Sequence, residues 1–234
     1  MVARAEGEQV TEFFRFPRTP HIAWLGEGEP RGDKLLDAKE AEDLLASELV
    51  VEEKVDGANL GFSLDENGIL RAQNRGAYVY QDHCHPQFKP LFSWLKPREH
   101  RLADALFPDL MLFGEWCYAV HSIQYEALPD WFLVFDVYDR AKGEFWSSRK
   151  RDELAAELGL VTVPKLGEGR FDLPGLMALL GNSRLTTGPA EGLYVRKEEG
   201  DRLVTRAKLV RAEFVQAIDV HWTKKGMRTN SLRR

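Results

Sequence analysis

Two turn signals constrain this chain more than any other feature. Glu66-Asn67-Gly68 lies between the alternating runs Leu60–Leu64 and Ile69–Ala72, and Glu198-Glu199-Gly200-Asp201 lies between Glu191–Lys197 and Arg202–Val210. Asn-Gly and Gly-Asp steps supply the positive φ that a tight hairpin needs, so each signal joins two antiparallel strands. Leu110–Tyr118 and Trp131–Tyr138 are aromatic-rich runs that read as further buried strands. Helices are fewer. Leu35–Leu49 has apolar residues at helical spacing, Glu99–Phe107 is ended by Pro108, and Ser147 or Ser148 caps a helix stopped by Gly159. Leu173–Leu180 and Arg211–Trp222 complete the set, and Ile22–Leu25 reads as a short strand. The expected class is therefore α+β, with mostly antiparallel sheets flanked by helices.

Size and charge narrow the function. The 234 residues make one large domain or one domain with a small appendage. No apolar stretch approaches the roughly 20 residues of a membrane span, and the first residues lack a signal-peptide core. Two cysteines, Cys84 and Cys117, form no disulfide framework. The expectation is a soluble cytoplasmic protein with reduced thiols and no membrane partner. Net charge is −5, so no global basic field points to nucleic acid. The last residues differ. Lys224, Lys225, Arg228, Arg233 and Arg234 follow Asp219 with no acid among them, beside His221 and Trp222. Such a segment suits phosphates and a stacked base. His83-Cys84-His85 lacks a second cluster and reads as a solvated loop rather than a zinc site.

The chemistry centres on Lys54. It ends the apolar run Leu49-Val50-Val51 and opens Lys54-Val55-Asp56-Gly57-Ala58-Asn59. A strand holds the lysine rigidly, Asp56 can orient or deprotonate it, and Gly57 lets a phosphate approach the backbone. Glu115, in Phe113-Gly114-Glu115, is a carboxylate in a strand too apolar to be exposed, so it must be paired or functional. Glu191-Gly192 repeats that form. Phe135 can stack on a purine. Arg206 and Lys208 share one strand face and can meet phosphate charge. Arg75, in Asn74-Arg75-Gly76, offers a planar fork near the end of the lysine strand.

Taken in order, Lys54-Val55-Asp56-Gly57, Phe113-Gly114-Glu115, Phe135-Asp136, Glu191–Val195 and Lys208-Leu209-Val210 resemble the motifs of the covalent nucleotidyltransferase superfamily. Within it the chain is most similar to RNA ligases of the phage RNA-ligase-2 class, over about residues 17–214. The resemblance implies a nucleotidyltransferase (ligase adenylation, ATP-grasp-like) domain over 1–210, and a helix and basic tail over 211–234. Too few residues follow Lys208 for a separate OB domain.

The resemblance also implies an ATP-dependent RNA ligase. Lys54 would take AMP as a phosphoramidate, pass it to an RNA 5′-phosphate, and a 3′-hydroxyl would then seal the strand. Asn59 would hold a water on a Mg2+ or Mn2+ ion, and Glu191 would act on metal and lysine. Glu115 would bind the ribose, Phe135 would stack on adenine, and Glu53 and Val55 would read its edge. Arg75 would contact the nucleotide or the RNA 3′ end, and Lys208 the α-phosphate. Arg206 departs from the usual lysine at its position, which leaves its nucleotide contact open. The implied partner is RNA, nicked duplex or RNA/DNA hybrid included, with RNA end-healing enzymes as possible helpers. The alternatives are a DNA or mixed-strand nick ligase and an RNA-binding module on the same fold.

Overall fold

A computed structural model of the chain describes residues 13–27, 34–217 and 227–233. In chain order the elements are α1 (Ala38–Leu45), β1 (Leu49–Lys54), β2 (Ala58–Leu64), β3 (Leu70–Gln73), β4 (Tyr78–Val79), α2 (Lys89–Leu95), α3 (Glu99–Leu106), β5 (Leu110–Trp116) and β6 (Phe132–Asp139). They continue with β7 (Glu144–Phe145), α4 (Ser148–Leu158), β8 (Val161–Thr162), β9 (Lys165–Gly169), α5 (Leu173–Leu179), β10 (Gly192–Glu199), β11 (Arg202–Val210) and α6 (Ala212–Ala217).

Both hairpin signals form hairpins, β2–β3 and β10–β11, with Gly68 and Gly200 at positive φ. Ser147 caps α4 and Gly159 ends it in the left-handed conformation. Three expectations change. The Leu35–Leu49 helix shortens to α1, because Asp37 and Glu40 form a reciprocal cap at its start and Leu49 belongs to β1. No strand forms over Ile22–Leu25; His21 alone makes bridges, to Leu35 and Lys208. Helix α2, which the sequence reading lacked, follows Pro86 and supplies Leu91 and Trp94 to the core. The last helix is described as α6 only. The remainder of Arg211–Trp222, with His221, Lys224, Lys225 and Arg234, lies outside the described residues. Among the described residues, no helix is long and apolar enough to cross a membrane.

Two sheets result. One has the order β11-β10-β1-β9, the other β4-β3-β2-β5-β6-β7 with β8 beside β6. Every strand pairing is antiparallel except β6–β8. Each sheet buries one face against helices. Leu49, Val51, Leu193 and Leu209 pack with Leu44 of α1 and Leu176 of α5. Phe62, Leu112, Phe132 and Val134 pack with Leu91 and Trp94 of α2, Leu102 and Leu106 of α3 and Ala155 of α4. Each such side chain contributes about 1.5–3 kcal/mol by leaving water.

Where the sheets meet, the contact is ionic rather than oily. Asp136 on β6 takes Arg196 of β10 at 2.6 Å and also Arg206 of β11. Arg151 of α4 reaches Glu52 of β1 at 2.6 Å, and Arg196 bonds Glu198 at 2.6 Å. Glu52, Asp136, Arg151 and Arg196 are at most 1% exposed. Buried charges persist only when paired and hydrogen-bonded, and these are.

Candidate active site

Beside that ionic contact the sheets part and leave a cavity of about 340 Å³, at the small end of ligand-pocket sizes. Strand alternation aims β1 at it. Leu49 and Val51 turn to the helix-covered core, while Glu52 and Lys54 turn to the second sheet. Lys54 Nζ donates to both oxygens of Glu191 at 2.6 Å. The register explains the meeting: Lys54 lies opposite Gly192, one residue from Glu191. Lys208, opposite Tyr194 on β11, lines the same cavity. Its backbone bonds Pro20 and Ile22, which draws Arg18 and Thr19 to the wall.

The opposite wall comes from β2, β5 and β6. Asn59 pairs with Glu115 across β2–β5, so both side chains stand together. Glycine makes the approach possible: a Cβ on Gly57 would lie 2.8 Å from the Trp116 carbonyl oxygen and 3.0 Å from Glu115. Phe135 is the extra residue of a β-bulge. Phe113 pairs with Asp136 and Gly114 with Val134, so Phe135 has no partner across the ladder and its ring faces the cavity. Two buried guanidiniums hold its carbonyl, Arg151 at 2.7 Å and Arg196 at 3.3 Å.

Carboxyls crowd the lysine here. Burial opposes the Lys54 ammonium, but Glu191, Glu115 and Asp56 outweigh it and hold its pKa above that of an ordinary lysine. Burial pushes the Glu115 carboxyl up to about 8; Lys54 pulls it down, and Glu191 and Asp56 push it further up. Burial also raises Glu191, against the pull of Lys54. Glu115 and Glu191 stand close together beside Lys54, and each carboxyl is harder to ionise than an ordinary one. Asn59 Oδ1 is buried there without a hydrogen-bond donor.

Of the sequence-derived site residues, Glu53, Lys54, Val55, Asn59, Arg75, Glu115, Phe135 and Lys208 line the cavity, and Glu191 reaches it through Lys54. Three readings need correction. Asp56 does not line it: its Oδ2 accepts the N–H groups of Ser122 at 2.6 Å and Ile123 at 2.8 Å and so anchors a loop. The Glu53 carboxylate is bonded to Ser183 and the Arg184 N–H, which leaves only the Glu53 main chain to meet an adenine edge. Arg206 is held by Asp136 and packs over Phe16 and Phe145, so it is a sheet-joining residue rather than a phosphate contact. The sequence reading missed Glu52. Its Oε1 takes Arg151, while its buried Oε2 has no hydrogen-bond partner and the residue lines the cavity. The available signal was a second acid, Glu52-Glu53, inside a strand whose start is wholly apolar.

The family comparison bears directly on this arrangement. The RNA ligase family model matches residues 47–210, which spans both walls of the cavity. The chain belongs to the RNA ligase family. Its fold is also that of solved RNA ligases. A Naegleria gruberi RNA ligase variant with ATP and Mn superposes with a TM-score of 0.64 at 16% identity, covering 87% of this chain and 58% of the other. An apo variant of that organism's ligase gives 0.65 at 18% identity, covering 92% and 60%. A third, with AMP and Mn, gives 0.62 at 15% identity, covering 92% and 60%. This RNA ligase family chain thus spans about three fifths of the length of those structures. No curated protein matches it.

Proposed function

We propose that the chain is an ATP-dependent RNA ligase that joins 5′-phosphate and 3′-hydroxyl ends through a lysyl-AMP on Lys54. The observation that carries this is Lys54 itself: a half-buried lysine at the end of a strand, gripped by Glu191, at the wall of a nucleotide-sized cavity. The lysine nitrogen attacks the α-phosphorus of ATP, a P–N bond forms, the P–O bond to pyrophosphate breaks and the nitrogen gives up its proton. An RNA 5′-phosphate oxygen then takes the AMP and releases the lysine. Attack of a 3′-hydroxyl on the activated end expels AMP. In this reading Lys208 meets α-phosphate charge, Phe135 stacks on the base, Glu115 accepts from the ribose and Arg75 contacts the nucleotide or the RNA 3′ end; that all four line the cavity supports it.

Glu52 Oε2 fits the base as well. It is an acceptor in need of a donor, and the adenine 6-amino group is one, whereas guanine presents an oxygen there. The neighbouring carboxyls of Glu115 and Glu191 and the orphaned Asn59 Oδ1 fit Mg2+ or Mn2+ carried in with the ATP phosphates. Asn59, through water, and Glu191 would hold that ion, which would supply positive charge that lowers the lysine's affinity for its proton. We read residues 1–210 as the adenylation domain and 211–234 as part of the RNA-facing surface. The exposed Arg228 and Arg233 support the second part.

Intact-protein mass after incubation with Mg2+ and ATP or GTP, beside Lys54→Ala, tests the reading. One added AMP on the wild type, none on the variant and continued sealing of a pre-adenylated strand by the variant is the expected pattern. An added GMP, or no adduct even after pyrophosphate treatment, would overturn it. A panel with RNA or DNA on each side of a nick then sorts RNA from mixed-strand ligation.

A further inference from the structure

Between β5 and β6 the chain runs from Cys117 to Trp131 without regular structure, yet Cys117, Ala119, Tyr125 and Leu128 are fully buried. Irregular buried backbone needs hydrogen-bond partners. Here they come from residues 227–233, far away in sequence. Val120 N donates to Arg228 O at 2.9 Å, Asn230 N to Tyr118 O at 2.9 Å, Ser231 N to Tyr125 O at 3.0 Å and Leu128 N to Ser231 O at 2.9 Å. Asn230, 4% exposed, sits at the centre. Its Oδ1 accepts from Tyr125 N at 2.8 Å, and its Nδ2 donates to Cys117 O at 2.8 Å and Ala119 O at 3.3 Å.

The far side of the same loop holds the residues after Lys54. Tyr125 Oη accepts the Asp56 N–H at 2.9 Å, and Ser122 N and Ile123 N donate to Asp56 Oδ2. Tyr125, Ile123 and Leu128 pack on Val55 in one cluster. The Gly57 N–H that follows bonds the Glu115 carboxylate. One loop therefore joins Asn230 to the turn that aims the lysine.

We propose that Asn230 is a positioning residue for lysine adenylation: through the 117–131 loop it fixes Asp56, and through Asp56 the turn that follows Lys54. The inference rests on Lys54 being the nucleophile. Asn230 touches neither cavity nor lysine, so ATP binding should survive its loss while the rate of the first step falls. In the full chain, Asn230→Ala should slow lysyl-AMP formation at saturating ATP by roughly a hundredfold, the scale of small misplacements in an active site. The ATP concentration for half-maximal rate and the sealing of a pre-adenylated strand should stay close to wild type. Added to Asp56→Ala, it should slow the step no further, because both act through one contact.

Hydrogen exchange gives a readout independent of catalysis. The amides of Asp56, Ser122 and Ile123 should lose protection in Asn230→Ala, while those of β10 keep theirs. Wild-type adenylation rates, unchanged protection at those amides, or an equal fall in every step together with multiplying rate losses in the double variant would each overturn the proposal. Wild-type protein that forms no adduct would overturn the nucleophile assignment with it, and that control tells the two failures apart.

Discussion

The molecule holds two clusters of buried charge a few residues apart on the same strands, and they are built oppositely. Around Asp136 every charged group is answered. Both Asp136 oxygens take an arginine, and all three Arg196 nitrogens donate, to Glu198, to Asp136 and Phe135 O, and to Trp146 O. Around Lys54 the pairing is incomplete: Glu115 and Glu191 are both held above ordinary carboxyls beside Lys54, and Asn59 Oδ1 has no hydrogen-bond donor. Glu52 touches both: Oε1 takes Arg151, Oε2 lies 3.9 Å from Arg196 with no hydrogen-bond partner, and the residue lines the cavity. A saturated cluster joins the sheets; an unsaturated one waits for a ligand's charges. An unsatisfied buried polar group asks for an explanation, and at this cavity a ligand's charges and donors supply one.

Breaking the saturated side should have the largest effect. Asp136→Ala would strand Arg196 and Arg206 in a dry interface, and we expect a loss of about 3–5 kcal/mol in urea unfolding, with little soluble protein at 37 °C as a consequence. A loss of under about 1 kcal/mol, the scale of a surface pair, would mean that the cluster is solvated and the contrast unreal.

Glu52→Gln sharpens the comparison where the clusters touch. It keeps an acceptor for Arg151 and turns the acceptor that lacks a hydrogen-bond partner into a donor. The preference for ATP over GTP in lysyl-nucleotide formation should then fall by about tenfold or more, equivalent to about 1.4 kcal/mol. An unaltered ratio in a folded variant would remove Glu52 from base recognition.

The smallest effect is on pH. Glu115 titrates near 8 in the fold against an ordinary 4.5. Above about 4.5 the unfolded chain has lost a proton that the fold still holds. Stability therefore falls as pH rises toward 8, and burial of Glu191 adds in the same direction. Melting temperature of the nucleotide-free protein should decline from pH 5 to 8, and Glu115→Gln should flatten the slope. An identical slope in Glu115→Gln and the wild type would contradict the raised Glu115 carboxyl.

Much of this was legible before any coordinates. Asn-Gly and Gly-Asp turns made the hairpins antiparallel, because only a few residue types take positive φ cheaply. Strand alternation sent Lys54 and Lys208 to the inner face. The spacing of Glu115 and Glu191 from glycines marked carboxylates that no apolar strand would carry idly. Three readings failed for one reason. Asp56, Glu53 and Arg206 each had suitable chemistry, but their partners, Ser122 and Ile123, Ser183, and Asp136, come from distant parts of the chain. Asn230 left no local signal at all, since its amide matters only because the 117–131 loop arrives beneath it. The sequence by itself determined the two hairpins, most of the strands and helices and the family to which the chain belongs. Only the tertiary structure decided which charges are spent on holding two sheets together and which stay available, because a side chain's pairing depends on neighbours that backbone propensity and periodicity do not encode.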